Sequence, residues 1–282
     1  MKLIQPTADI YVPDGLESRQ ALSRTTHLAI SAHQDDVEIM AAEPILTCFH
    51  QPDVWFGAVI MTDGRGSPRT GLYSSFSDDE MCAVRRKEQK KAAYVGEYSV
   101  LVQLNYPSIA VKDGRNLQPI EDLKTLLTSI QPRFIYTHNL ADKHDTHVST
   151  SLRVIEAIRG LPYEYRPEKL YGCEVWRSLD WLLDNDKVIF ELTEHENLQT
   201  SLLGVFDSQI TGGKRYDLAS MGRRKGNATY FESHELDAAT GISFGMDLTP
   251  LINDEMLPVE EFVLAKIDAF KQDVYDRITK FR

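Results

Sequence analysis

Along the first two hundred positions, apolar residues gather into short continuous runs separated by longer stretches of helical spacing. The runs at 26–32, 54–62, 99–104, 133–138, 169–175 and 188–193 are rich in Val, Ile, Leu and aromatic residues, the pattern of strands buried on both faces. Between them, 37–50, 78–96, 119–130, 147–159 and 194–208 carry apolar residues at three- and four-residue intervals, which predicts helices. Strands alternating with helices of this length require right-handed crossovers. The predicted fold class is therefore α/β: a Rossmann-like, mostly parallel sheet flanked by helices, with a C-terminal extension. Residues 1–25, with Pro6, Pro13 and Gly15, read as a polar lead-in, a loop or short helix packed on the body. Residues 26–282 read as one domain, of which 211–282 is a loop and helical extension. Within that extension, Gly212, Gly213, Gly222 and Gly226 suggest a long functional loop from Thr211 to Tyr230. Phe262, Ile267, Phe270, Val274 and Ile278 predict a last helix, about 258–281, packed on the core.

Composition narrows the classes. A chain of 282 residues with 42% hydrophobic and 26% charged residues can bury a sizeable core. Its net charge of −11 argues against nonspecific nucleic-acid binding or attachment to an anionic membrane. No apolar run reaches membrane-spanning length and the first residues lack a signal-peptide core, so a cytoplasmic protein is expected. Cys48, Cys82 and Cys173 are odd in number and far apart, which favours buried structural thiols over a disulfide framework.

The chemistry concentrates where two strands are predicted to end. Ala32-His33-Gln34-Asp35-Asp36 follows the first strand, and His144-Asp145-Thr146-His147 lies a few residues beyond the fourth, with His138 at the strand end. In an open parallel sheet, sites form outside the carboxyl ends of strands. His33 offers a neutral nitrogen and Asp36 an anionic oxygen, both suited to a divalent ion of zinc type. His144 and His147 are three apart and share one face of any helix that starts at Asp145. The plainer alternative is capping: Asp36 at the start of the first helix, and Asp142 or Asp145 beside surface histidines. Only eight histidines occur in the chain, yet three of them fall within ten positions, and that tips the balance to a metal site.

These motifs resemble those of the PIG-L/LmbE family of zinc-dependent N-deacetylases, with Ala-His-Pro-Asp-Asp after the first strand and His-x-x-His after a later one. Arg85-Arg86-Lys87-Glu88 with Ala92-Ala93 and Val95-Gly96 is similar to a further family segment, as is Ser208-Gln209, and the likeness runs over about 26–235. It implies His33, Asp36 and His147 as metal ligands, Asp35 as general base, and a protonated His144 beside the reaction centre. It also implies zinc, replaceable by a metal such as ferrous iron, and a water activated for attack on an acetamide. Gln34 stands where the family has proline, Thr146 where many members have aspartate, and Arg65 where many have glutamate.

The substrate that the resemblance implies is N-acetylglucosamine or a phosphorylated or conjugated derivative. Arg65 and Arg69 in one loop, with Lys214, Arg215, Arg223, Arg224 and Lys225 in the other, concentrate positive charge in an acidic chain. Arg65, Arg69 and Arg223 are thus candidates for binding a substrate phosphate or carboxylate, against the plainer reading of solvated loops or homo-oligomer contacts. Tyr230, Phe231, His234, Trp176 and Trp181 are equally compatible with a sugar platform and with packing. Two other functions remain open: a metal-dependent phosphoesterase, which needs more bridging carboxylates, and a noncatalytic sugar- or nucleotide-binding module, for which the phosphate-binding glycine motif is missing.

Overall fold

The computed structural model describes all residues from Met1 to Arg282. Eight strands form one sheet: β1 (Asp9–Tyr11), β2 (His27–Ser31), β3 (Phe56–Thr62), β4 (Val100–Tyr106), β5 (Phe134–His138), β6 (Lys169–Cys173), β7 (Lys187–Glu191) and β8 (Ile242–Asp247). Twelve helices surround it. In the first half these are α1 (Ser18–Arg24), α2 (Asp36–Met40), α3 (Ala42–Cys48), α4 (Asp78–Val95), α5 (Ser108–Lys112) and α6 (Gln118–Ile130). In the second they are α7 (Asp145–Arg159), α8 (Glu196–Gly204), α9 (Asp207–Ile210), α10 (Tyr216–Tyr230), α11 (Thr249–Asn253) and α12 (Val259–Lys280).

The strand order is β1-β4-β3-β2-β5-β6-β8-β7. The five central strands, β4 to β6, are parallel, while β1, β8 and β7 join by antiparallel pairing. Every position of β2, β3 and β4 is buried, as expected for strands covered on both faces. One apolar cluster packs Leu28, Ile30 and Ile135 against Leu123, Leu126 and Leu127 of α6 and Val154 and Ile158 of α7. The other packs Ala29, Ala58 and Ile60 against Val37, Ile45, Leu198 and Leu202 of α2, α3 and α8. The order reverses between β2 and β5: the chain leaves β2 toward β3 on one side, then returns to β5 on the other. This switch point opens a crevice at the carboxyl ends of both strands, and both chemical motifs lie there.

The structure departs from the sequence reading at the periphery. The lead-in supplies β1, an edge strand of the sheet, as well as α1. The predicted helix at 37–50 is two helices, α2 and α3, broken at Ala41 (φ −118°, ψ 28°). The expected loop from Thr211 to Tyr230 is mostly α10: Ser220, Arg224 and Ala228 repeat every four residues on a buried face, and helix formers between them outweigh Gly222 and Gly226 at about 1 kcal/mol each. β8, which lies in the expected extension, enters the sheet between β6 and β7. The last helix forms, but it has no buried residue. Only its first turns, through Val259 and Phe262, pack on the core. No helix is long and apolar enough to cross a membrane.

Candidate metal and catalytic site

β2 ends at Ser31, and the chain turns sharply into α2 through His33, Gln34 and Asp35. Asp36, the first residue of α2, folds back so that its Oδ2 accepts the His33 N–H at 2.8 Å. From the neighbouring strand, β5 leads through Asp142 to α7, which carries His147 in its first turn. The three side chains converge. His33 Nδ1 lies 3.1 Å from Asp36 Oδ2, His147 Nε2 lies 3.2 Å from His33 Nδ1, and 3.3 Å separates His147 Nε2 from Asp36 Oδ2. A tetrahedral ion bound at 2.0–2.1 Å places its ligand atoms about 3.3 Å apart. Two imidazole nitrogens and a carboxylate oxygen so close need a cation or a shared proton among them, so the donor set fits a divalent ion.

His138 is near but differently employed. Its Nε2 is 3.5 Å from Asp36 Oδ2 and accepts the Ala32 N–H at 2.8 Å, which occupies the lone pair a metal would need. Asp142, a residue that sequence reasoning weighed only as a cap, is the acid behind His147: its Oδ2 is 3.5 Å from His147 Nδ1 and accepts the Trp176 N–H, while its Oδ1 accepts the His144 N–H. Orientation by a carboxylate is therefore provided for His147, not for His144. Asp145 is exposed, and Thr146 lines the pocket.

Charge follows geometry. Burial would raise the Asp36 pKa, but His147, His33 and His138 together hold it well below the usual carboxylate range. Burial opposes charge on His147, yet Asp36 and Asp142 outweigh it and carry its pKa up to about 9. Burial pushes Asp35 up to about 7, with Arg85 opposing the shift and Asp36 adding to it. His144 is driven down to about 4 by burial and by the neighbouring His147 and His33. That shift favours the neutral ring.

Asp35 sits at φ 90°, ψ −30°, a conformation that non-glycine residues adopt at a cost. Two side chains hold it there. Gln89 Oε1 accepts the Asp35 N–H at 3.1 Å, the Arg85 guanidinium lies 3.3 Å from Asp35 Oδ1, and the same guanidinium donates to the Gln34 carbonyl and to Ser67 Oγ. Gln89 Nε2 in turn donates to Glu38 Oε1, which also accepts the Tyr98 hydroxyl. Asp35 is thus turned away from the donor triangle, toward Arg85 and the pocket. That pocket, about 410 Å³, is lined by His33, Asp35, Asp36 and His144 at its floor, with Arg65, Lys112, Lys214, Trp176 and Tyr216 around them.

Residues 28–158 match the family model described as PIG-L, GlcNAc-PI de-N-acetylase. Over that span, a little under half of the chain, the sequence is similar to that family. The matched span contains both motifs and both strands of the switch point. No curated protein matches the chain significantly. Among solved structures, the fold is similar to N,N'-diacetylchitobiose deacetylase from Pyrococcus horikoshii, with TM-score 0.65 and 18% identity, covering 85% of this chain and 89% of that one. It is also similar to the A40926 pseudoaglycone deacetylase, with TM-score 0.57 and 14% identity over 80% and 97% of the two chains. A third neighbour, the 4-carboxy-2-hydroxymuconate hydratase of Pseudomonas putida, has TM-score 0.57 and 14% identity over 80% and 96%. A hydratase among the neighbours shows that the fold alone does not dictate the reaction.

The other residues on which the likeness was drawn have structural duties. Glu88 accepts both the backbone N–H and the hydroxyl of Ser208, so the Arg85–Glu88 and Ser208–Gln209 segments form one brace and place Gln209 on the pocket wall. Gln34, at the family's proline position, is fully buried and donates to the Thr62 carbonyl and to Gln103 Oε1, tying the turn to β3 and β4. Of the expected substrate arginines, only Arg65 lines the pocket, and its Nε is 2.7 Å from Asp63 Oδ2. Arg69 is spent on the Phe76 and Arg65 carbonyls and on Asp78. Arg223 donates to the Val175 carbonyl and lines a separate small cavity. Trp176 stands beside His144, ring centroids 6.2 Å apart. Trp181 packs at the core edge and Phe231 on Phe244, and neither they nor Tyr230 and His234 line the pocket.

Proposed function

We propose that the chain removes the acetyl group from an N-acetylated amino sugar by metal-assisted hydrolysis. The observation that carries this reading is the triangle of His33, Asp36 and His147 donor atoms with Asp35 beside it at the floor of a polar pocket. A divalent ion, zinc by the chemistry of the donors, would supply Lewis acidity to a water and to the amide carbonyl. Asp35 takes the proton of the attacking water. With a pKa near 7 it is a competent acceptor at neutral pH and, once protonated, a competent donor to the departing nitrogen. Arg85 holds that carboxylate and resists its neutralisation. His144, uncharged, offers an N–H to the carbonyl oxygen as negative charge develops there. Water's oxygen forms the new bond to the carbonyl carbon, the C–N bond breaks, and acetate and a free amine leave.

Trp176 offers a flat face beside His144, and sugar C–H surfaces stack on such rings. Lys112 and Lys214 point to an anionic group on the substrate. Both line the pocket and neither is engaged by a carboxylate, whereas Arg65 is partly neutralised by Asp63. They replace Arg69 and Arg223 in this role. Acetate release from N-acetylglucosamine and from its 6-phosphate by the zinc-loaded chain tests the reading. Lys112→Ala and Lys214→Ala should each raise KM about tenfold for the phosphorylated sugar and little for the neutral one; equal effects on both would remove the anion assignment. No acetate from any N-acetyl sugar would remove the deacetylase assignment.

A further inference from the structure

We propose that His138 is a positioning residue of the metal site. It fixes the backbone ahead of His33 and the ring of His147, and the hydrogen bond that does the first bars it from binding the ion. The inference rests on the metal-site reading above and concerns how that site is held open.

The parallel ladder between β2 and β5 ends at Ala29 and Tyr136. Beyond it the strands part at the switch point, and side chains carry on where backbone pairing stops. Thr137 Oγ1 donates to the Ile30 carbonyl at 2.9 Å. One residue on, His138 Nε2 accepts the Ala32 N–H at 2.8 Å. The Ala32 carbonyl accepts from the Thr62 N–H at 2.9 Å and from the Thr62 hydroxyl at 2.8 Å. Ala32 is thus pinned from β5 on its donor side and from β3 on its acceptor side. His33 is the next residue, so this clamp sets where its imidazole starts.

The same ring positions His147. The two imidazoles lie 19° from parallel with centroids 3.9 Å apart, and both are fully buried. Asp142 Oδ2 stands 3.5 Å from His147 Nδ1. The stack therefore fixes the plane of the His147 ring, and Asp142 its direction within that plane. Ser151 of α7 donates to the His138 carbonyl, which ties the end of β5 to the helix that carries His147.

His138 itself is close enough to compete for the ion. Its Nε2 is 3.5 Å from Asp36 Oδ2, and Asp36, His138 and His147 form a second, wholly buried group of donors. If His138 joined His33, Asp36 and His147, four protein ligands would close a tetrahedral site, as in structural zinc centres; three leave a position open. A neutral imidazole that accepts through Nε2 carries its proton on Nδ1 and has no lone pair to spare. The Ala32 N–H thus decides between a closed site and an open one.

Two variants separate the hydrogen bond from the bulk of the ring. His138→Gln keeps an acceptor for the Ala32 N–H, while His138→Leu removes it. In the metal-free chain the Ala32 amide should exchange about tenfold faster in His138→Leu and near the wild-type rate in His138→Gln. Zinc affinity, read by competition with a chromogenic chelator, should fall about 10- to 100-fold in His138→Leu and recover most of that loss in His138→Gln. Loaded with an NMR-active cadmium isotope, wild type with labelled histidine nitrogens should show coupling to His33 and His147, with His138 uncoupled and protonated on Nδ1. Coupling to His138 would make it a ligand and overturn the proposal. So would an Ala32 exchange rate or a zinc affinity unchanged in His138→Leu, or a loss in His138→Gln as large as in His138→Leu. None of these measurements reads turnover, so a chain that meets them and releases no acetate loses the deacetylase assignment alone.

Discussion

Asp35 and Asp36 are neighbours in sequence and opposites in chemistry. Asp36 faces three imidazoles and stays ionised far below neutrality, while Asp35 faces Arg85 in a desolvated niche and titrates near 7. The φ of 90° at Asp35 makes the difference, because it points consecutive carboxylates in separate directions. The His-x-Asp-Asp pattern makes both acids visible in the sequence, but not which hydrogen bonds divide their roles: Gln89 and Arg85 lie some fifty residues away. The same holds for Asp142, hidden among capping candidates until the fold brings it behind His147. Asp142→Ala should weaken metal affinity by about 10- to 100-fold, as for other carboxylates behind histidine ligands; competition with a chromogenic chelator would measure it, and an unchanged affinity would leave His147 oriented by packing alone. For the base, the sign is fixed by its role. Asp35 must be ionised to accept a proton, so kcat/KM should fall as pH drops through its pKa, and a bound cation moves that limb below 7. A flat profile between pH 5 and 7, measured as acetate release, would contradict it.

At the scale of elements, the central strands and their helices were legible because each is long, periodic and buried against both layers. β1 was not, since three half-buried residues carry no periodic signal; its place is given by pairing with β4. α10 was obscured by glycines that its buried face tolerates. α12 showed its apolar spacing plainly, but spacing does not say what a stripe faces, and here it faces away from the core. Beneath the site, α2 and α4 are joined through a buried polar link in which Glu38 accepts from Gln89 and Tyr98. Burial raises Glu38 to about 8. Above a pH of about 4.5 the unfolded chain releases this proton while the folded chain keeps it, so stability falls as pH climbs from there to about 8 and then levels. Glu38→Gln keeps both hydrogen bonds and removes the titration. The variant should gain about 1–3 kcal/mol at pH 8 and little at pH 5. Urea melts at the two pH values check this; a loss at pH 8 would mean that the ionised form is stabilised after all.

The whole molecule places a crevice lined by Arg65, Arg85, Lys112 and Lys214, with the proposed metal site within it, in a chain of net charge −11. The proposed ligands follow β2 and, in α7, β5, so an ion held there would clamp together two strands whose crossovers run to opposite sides of the sheet. Metal should accordingly stabilise the fold by about 2.7 kcal/mol at a hundredfold excess over the dissociation constant, read as a higher melting temperature. His147→Ala should abolish most of that gain; a zinc-dependent shift of the same size in the variant would place the ion elsewhere. The central claim is hydrolysis of an N-acetyl amino sugar with Asp35 as the base. Its most direct test is acetate release, measured with bound metal per chain, for the wild type and Asp35→Asn. The expected result is one ion per chain in both proteins and turnover about 10²- to 10⁴-fold lower in the variant. Equal turnover at equal metal content would contradict it.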